Sequence, residues 1–373
     1  MRIGIASTFP PYRGGIAQFN DAMARALEKE GHDVHCATWS RQYPALLFPG
    51  KTQFEPGKTI TDASMPGSLD SISPSSWKRV GREFGEHHHV DLLLLPFWHA
   101  ALAPALTSVA IQAKRQGVQQ VVAVMHNANS HDGKAWESAL TKRFLQACDR
   151  VVTLSGSVSA KLRPWKPTTL FHPLYEHFPK GPTHKEARRQ LGISEGDVAH
   201  LFFGLIRPYK GLDLLIEAMR QHQDKQLLIV GECYENEQKY ISLIHSLKLN
   251  KQIHFLNRFV THQEAANYFS VADVLVLPYK TATQSGVVAL AYHFETPMLV
   301  TNHKGLTAPI TKDNTGVISE VNSMAIAKGI EKLYVNNNID RFKENLKQTK
   351  ANYSWRNYAK QWANFTLNET TQH

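Results

Sequence analysis

Phe202-Phe203-Gly204-Leu205-Ile206-Arg207-Pro208-Tyr209-Lys210-Gly211 is the stretch of this 373-residue chain from which its architecture can be read. The apolar run Leu201 to Ile206 is too short and too uniformly hydrophobic for a surface helix and reads as a buried strand, after which Leu212 to Met219 resumes at helical period. Arg207 and Lys210 therefore stand on a strand-to-helix loop. In a parallel sheet such loops gather at the carboxyl edge of the strands, where ligands bind and where helix N-termini favour anions. Two fixed cations added to that field suit a diphosphate. The competing reading is a solvated basic turn.

The same alternation extends in both directions. Ile3 to Ala6, Val34 to Thr38, Asp91 to Leu95, Val121 to Met125 and Val151 to Leu154 read as strands, with helices such as Ala17 to Glu30 and Lys134 to Ala147 between them. Beyond the quoted stretch follow Gln226 to Val230, Ile253 to Leu256, Val274 to Leu277 and Met298 to Val300. Strands alternating with helices imply parallel sheets covered on both faces. Pro164, Pro167, Pro173, Pro179 and Pro182 fall in a stretch without periodicity, which reads as a linker. The expected organisation is an α/β chain of two Rossmann-like, doubly wound domains facing across a cleft: 1–165, a linker at 166–185, 186–350, and a closing helix at 351–373. Tyr43 to Ser76, rich in Pro, Gly, Ser and Thr, reads as a long loop inserted in the first domain.

Composition excludes several classes. With 42% hydrophobic and 20% charged residues the chain is globular, neither disordered nor fibrous. Cys36, Cys148 and Cys233 are odd in number and far apart, so they form no disulfide framework or metal spacing, as suits a reducing cytoplasm. No apolar stretch of about 18 residues is uninterrupted, and the N-terminus runs straight into a strand with too short an apolar region for a signal peptide. The most hydrophobic window, Leu92 to Leu106, is broken by Pro96 and Pro104 and reads as a buried strand turning into a helix, with a membrane-touching surface as the alternative. The net charge of +10 is diffuse: 20 Lys+Arg stand against 14 Asp+Glu up to residue 180, and 22 against 18 beyond. A nucleic-acid reader would concentrate it in a stripe, so anionic substrates or an acidic bilayer are the expected partners.

Three further segments could carry chemistry. Pro10-Pro11-Tyr12-Arg13-Gly14-Gly15-Ile16-Ala17 joins the first strand to the first helix, and its glycines allow backbone amides close to a ligand. It is not a G-x-G-x-x-G fingerprint, so a nicotinamide dinucleotide has no seat there. His126-Asn127-Ala128-Asn129-Ser130-His131-Asp132 places polar residues at the end of the fourth strand, with His126 nearest its terminus; a hydrogen-bonded structural histidine is the plain alternative. His131 and Asp132 lack a convincing third metal ligand, and His87-His88-His89 reads as a solvated helix end. Finally, Tyr279 to Tyr292 passes from a strand ending at Pro278 through a polar loop into a helix opening near Ser285. The amides of Ser285, Gly286 and Val287 are expected to be unpaired and available to a phosphate, with Gly286 letting it approach.

In order along the chain, Gly14-Gly15, His126-Asn127 through His131-Asp132, Gly204 through Gly211, Ser285-Gly286 with Thr296-Pro297, and Tyr353-Ser354-Trp355 resemble the retaining glycosyltransferases of family 4, which have the GT-B fold. The resemblance implies transfer from a nucleotide-diphosphate sugar to a glycan or lipid-linked acceptor in cell-surface polysaccharide or glycolipid synthesis. It implies no metal, cofactor or nucleic acid. Arg207 and Lys210 would meet the leaving diphosphate, with His126 near the sugar. Gly15, Gly204, Gly231, Thr283, Gln284, Ser285, Gly286 and Val287 would bind the donor; Arg13, Gly14 and His131 the acceptor, together with the Leu92 to Leu106 region and the Tyr43 to Ser76 loop. The expected location is cytoplasmic, in peripheral contact with the anionic inner face of the membrane. One departure stands out. The family usually carries two glutamates eight residues apart around its nucleotide-binding helix, and those positions here are Thr283 and Ala291. A sugar-nucleotide-binding protein without turnover, or an epimerase of the same fold, are therefore the rival readings.

Overall fold

The computed structural model describes residues 1–43, 53–54, 58–59, 67–127, 135–176, 178–282 and 285–367. They form two compact units, Met1–Phe171 with Trp355–His373, and His172–Ser354.

Unit 1 holds a parallel sheet of β1 (Arg2–Ala6), β2 (Asp33–Arg41), β3 (Gly67–Asp70), β4 (Leu92–Phe97), β5 (Gln120–Met125), β6 (Arg150–Thr153) and β7 (Thr168–Thr169), in the order β3-β2-β1-β4-β5-β6-β7. Its helices are α1 (Gly15–Lys29), α2 (Pro74–Glu86), α3 (Ala103–Arg115), α4 (Ala135–Ala147) and α5 (Gly156–Lys161). Inner strands buried on both faces explain their unbroken apolar runs: Leu92 to Leu95 and Val121 to Met125 are fully covered. The Leu92–Leu106 window is likewise interior, with Phe97, Leu102 and Leu106 in the core and only Trp98, His99, Ala101 and Pro104 reaching the surface to any extent. It therefore offers no broad apolar surface to a membrane or acceptor. The Tyr43–Ser76 segment is not one continuous loop either, since β3 pairs with β2 inside it and α2 begins at Pro74.

Unit 2 repeats the scheme. After α6 (His184–Leu191) come β8 (Val198–Phe203), α7 (Leu212–Ala218), β9 (Lys225–Val230), α8 (Gln238–Ser246), β10 (Ile253–Leu256), α9 (His262–Val271), β11 (Val274–Leu277), α10 (Gly286–His293), β12 (Met298–Thr301), α11 (Lys304–Asp313), β13 (Gly316–Ser319), α12 (Ser323–Leu333) and α13 (Asn338–Thr349). The sheet order is β10-β9-β8-β11-β12-β13, again all parallel. The closing α14 (Trp355–Leu367) belongs to unit 1, where Trp355 lies 5.1 Å from Phe19 of α1 and Tyr358 and Trp362 are fully buried.

In both sheets the order reverses at one place, between β1 and β4 and between β8 and β11. Loops leaving the two strands at such a switch point diverge and leave a crevice at the carboxyl edge. In unit 2 those loops are residues 204–211 and, among the described residues, 278–282 and 285, the two segments singled out by their charge and turn residues.

Candidate active site

The loop after β8 is shaped by its glycines. Gly204 has φ near 100°, and Gly231 packs backbone to backbone on it, so that a Cβ at Gly231 would meet the Gly204 carbonyl oxygen at 2.1 Å. Gly231 thus serves close packing of the two loops rather than presenting an open surface. Gly211, at φ 66°, lies so close to the Pro278 carbonyl that a Cβ would be 2.1 Å from its oxygen. Across this contact the Lys280 amide donates to the Tyr209 carbonyl at 2.7 Å and the Lys280 ammonium pairs with Asp213 at 2.6 Å. The two loops at the switch point are therefore held together before any ligand arrives.

The turn Pro208–Lys210 directs Lys210 inward. Its side chain is 7% exposed, its ammonium lies 5.3 Å from the centre of the Tyr279 ring, and a Cβ on Gly204 would approach it to 3.2 Å and the Val287 side chain to 3.6 Å. Among the described residues no carboxylate pairs with this ammonium. Burial, with the Arg207 charge as a smaller contribution, holds the lysine below its ordinary pKa. Arg207 is held differently, with its guanidinium over the Tyr234 ring at 4.3 Å. Tyr234 is 47% exposed and comes from the loop after β9, tied to the Arg207 loop by a bridge between Ile206 and Cys233.

Ser285 caps α10. Its hydroxyl accepts the Val287 amide at 3.3 Å and lies 3.2 Å from the Tyr279 hydroxyl. The Val287 amide is thus already engaged, contrary to the sequence expectation, because serine at the N-cap satisfies the donor it was expected to leave open. The amides of Ser285 and Gly286 have no acceptor among the described residues. The space beside Gly286 is also occupied: a Cβ there would lie 2.4 Å from the Tyr175 hydroxyl. Thr283, Gln284 and His131 lie outside the described residues. Ala291, at the second glutamate position, is fully buried in the core of unit 2 and has no access to a ligand.

In unit 1, Gly14 precedes α1 with φ near 110°, nothing stands within 4 Å of where its Cβ would be, and no side chain caps the helix. Gly15 opens the helix and Arg13 is exposed, its amide donating to the Gln53 carbonyl at 2.8 Å. His126 is 3% exposed, its ring edge-on to Phe19 at 4.8 Å and its amide bonded to the Phe97 carbonyl at 2.9 Å. This is a packed histidine at the carboxyl end of β5. Among the described residues no three His, Cys, Asp or Glu side chains group so as to hold a metal ion.

Two doubly wound parallel sheets, with cations and a helix N-terminus at a switch point, define an α/β fold of the GT-B class. Family models agree. Glycosyl transferases group 1 matches residues 183–360 and Glycosyltransferase Family 4 matches residues 13–169. The chain belongs to this glycosyltransferase family. Among relatives, it is 29% identical over 205 residues to a GDP-mannose:glycolipid 4-beta-D-mannosyltransferase of Xanthomonas campestris pv. campestris, covering 54% of this chain and 53% of the relative. The chain thus spans about half the length of the mannosyltransferase relatives it matches. A D-inositol 3-phosphate glycosyltransferase of Pseudarthrobacter chlorophenolicus is 25% identical over 353 residues, covering 86% of this chain and 82% of the relative. Similar solved structures include sucrose-phosphate synthase from Thermosynechococcus elongatus, with TM-score 0.71, 19% identity and complete coverage of both chains. Anabaena Alr3699/HepE in complex with UDP-glucose has TM-score 0.72 and 14% identity, over 98% of this chain and 99% of that one. At these identities the structures speak to the fold alone.

The Tyr234 platform was not foreseen from sequence, because a tyrosine in a polar loop carries no signal until its partner is known. A cation–π stack of this kind contributes about 0.5–2 kcal/mol. Tyr234→Ala is therefore expected to lower kcat/KM by roughly 2- to 30-fold, and Tyr234→Phe to leave it near the wild-type value. Equal losses in the two variants would remove the ring from any role in holding Arg207.

Proposed function

We propose that this glycosyltransferase draws its sugar from a nucleotide-diphosphate donor bound at Arg207, Lys210 and the N-terminus of α10, and passes it to a glycan or lipid-linked acceptor in cell-surface polysaccharide or glycolipid synthesis. The observation that carries this reading is the buried Lys210 ammonium, which faces the start of α10 without a described carboxylate partner. A cation kept from water at such a cost is matched by an anionic ligand that enters and supplies the missing charge.

The chemistry follows from where charge grows. Breaking the bond between sugar C1 and the diphosphate oxygen leaves increasing negative charge on the leaving group, and fixed cations there stabilise the transition state more than the ground state. Arg207, steadied by Tyr234, and Lys210 take that role, helped by the amides of Ser285 and Gly286, which have no acceptor among the described residues. The protein supplies this positive charge itself, so the proposal includes neither a divalent metal nor a resident cofactor. Gly15, Gly204 and Gly231 are proposed on the donor side, and Thr283 and Gln284 would border the sugar. His126, Arg13, Gly14 and His131 are proposed on the sugar and acceptor side, with His126 acting through its position rather than as a base. Retention of configuration enters from the family resemblance, with a donor phosphate oxygen taking the acceptor proton. The name of one relative specifies a β linkage, which makes the anomeric coupling in the product's NMR spectrum a direct test.

No helix among the described residues is long and apolar enough to cross a membrane. The proposed site of action is the cytoplasmic face of an anionic bilayer, supported by the net charge of +10 and by a recess of unit 1 lined by Lys142, Lys161 and Trp165. Co-sedimentation with anionic vesicles at low salt, lost at high salt, is the expected result. A soluble acceptor replaces this element of the proposal if the protein stays in the supernatant.

A second reading, sugar-nucleotide binding without turnover, is favoured by Thr283 and the buried Ala291 where the family has glutamates. The two are separated by incubating the protein with a panel of nucleotide-sugars and membrane-extracted acceptors and measuring released nucleoside diphosphate. Acceptor-dependent release is expected of the transferase; binding with no release would establish the second reading.

A further inference from the structure

The chain leaves unit 1 at Phe171, and four residues later it sets a tyrosine against the start of α10. Gly286 is the first residue of that helix, and the Tyr175 hydroxyl stands where a side chain at Gly286 would begin, 2.4 Å from an ideal Cβ. The ring is held by an aromatic series: His172 at 5.5 Å, Phe178 at 6.0 Å, and beyond Phe178 the Phe294 ring at 6.1 Å, which closes the other end of α10. The adjacent Leu174 amide donates to the Tyr353 carbonyl at 3.0 Å, so the two segments through which the chain crosses between units are tied to each other beside this tyrosine.

Next to Gly286, the Val287 side chain and the buried Lys210 ammonium both border the space beside Gly204, 3.6 and 3.2 Å from where a Cβ there would be, and the Gly286 amide has no described acceptor. A cation, an amide and a phenolic hydroxyl therefore converge within two residues of one helix N-terminus. We propose that Tyr175 is a donor-binding residue, its hydroxyl donating a hydrogen bond to a phosphate oxygen of the nucleotide diphosphate held at the start of α10. The inference rests on the donor site described above and adds to it a ligand drawn from the segment that joins the two units. Burial pushes the Tyr175 phenol up to about 12, so the group stays protonated through the physiological range and meets an anion as a donor. Glycine at 286 is needed on the protein's own account too, because any larger residue would strike the hydroxyl before a ligand arrived.

Tyr175→Phe removes one oxygen and keeps the ring packing, so the fold is retained. By calorimetric titration with the nucleoside diphosphate that the wild type binds best, Tyr175→Phe is expected to weaken binding ~10-fold, as loss of a hydrogen bond to a charged group does. Affinity for the corresponding nucleoside, measured by NMR, should stay unchanged, which a merely structural role would not produce. Lys210→Ala is measured alongside. If Lys210→Ala loses the diphosphate while Tyr175→Phe binds it like the wild type, the donor site stands and the Tyr175 inference falls. If Tyr175→Phe binds more tightly, the hydroxyl is a plug rather than a ligand, and the inference is again overturned. A wild type that binds none of the nucleoside diphosphates overturns both.

Discussion

Lys210→Met is expected to lower turnover by on the order of 10²-fold or more while raising the melting temperature of the unliganded protein. Both effects have one cause. Lys210 is 7% exposed with no described carboxylate beside its ammonium, so the empty protein bears the cost of a poorly solvated charge that the diphosphate later meets. Methionine fills nearly the same volume without the charge, which relieves the cost and removes the interaction with the leaving group.

The pH dependence fixes the sign. The folded-state pKa of Lys210 is lowered, so between that value and the ordinary lysine value the unfolded chain binds more protons than the folded one. Across this window wild-type stability rises with pH relative to Lys210→Met, and below it the penalty is fully present. Activity runs the other way, because the cation is required: it falls as pH rises through the lowered pKa. Parallel melting curves and parallel pH profiles for the two proteins would show that Lys210 carries no charge relevant to either.

Arg188→Met is expected to destabilise unit 2 by about 3–5 kcal/mol, measured as the midpoint shift of its urea transition. Arg188 is 1% exposed on α6. Its guanidinium donates to Asp273 at 2.7 Å and to the carbonyls of Ser194 at 2.9 Å, Glu195 at 3.2 Å and Asp197. Asp273, at the entry to β11, also accepts the Ala199 amide of β8 at 2.8 Å. One ion pair thus joins α6 to the amino ends of the two strands whose carboxyl ends carry the candidate site. Removing the arginine leaves the part-buried Asp273 carboxylate with the Ala199 amide and, at 3.4 Å, the His184 ring, and takes the donor from several carbonyls. Replacing both partners, Arg188→Met with Asp273→Leu, should recover part of the loss, since an apolar pair leaves less unsatisfied. A single-variant loss under about 1 kcal/mol would mean that water reaches and satisfies the exposed groups.

How much of this was legible follows from the kind of signal each residue gives. Buried strands such as β4, β5 and β8 announce themselves as unbroken apolar runs, and the loop at Gly204–Gly211 as glycine and charge at a strand-to-helix boundary. β3, β7 and β13 were missed, and all three are sheet edges, where one side faces solvent and no continuous apolar run is required. The site divides similarly. Arg207, Lys210 and Ser285 stood out because each lies on the segment it serves. Tyr175, Tyr234 and the Arg188–Asp273 pair are long-range partners whose meaning depends on residues 30 to 110 positions away, roughly, and period and propensity are blind to such distances. The expectation of an open Val287 amide failed for a local reason: the serine read as part of a phosphate seat is first of all a helix cap.

The donor site is tested most directly by thermal-shift titration of the wild type and of Arg207→Ala/Lys210→Ala with UDP, GDP, ADP, CMP and their common sugar conjugates, since a ligand that binds the native state raises its melting temperature. A rise with one nucleotide family, absent in the double variant, is the predicted result, and it names the base as well. A well-folded wild type that shifts with none of them, or a double variant that shifts equally, would contradict a donor diphosphate bound at Arg207 and Lys210.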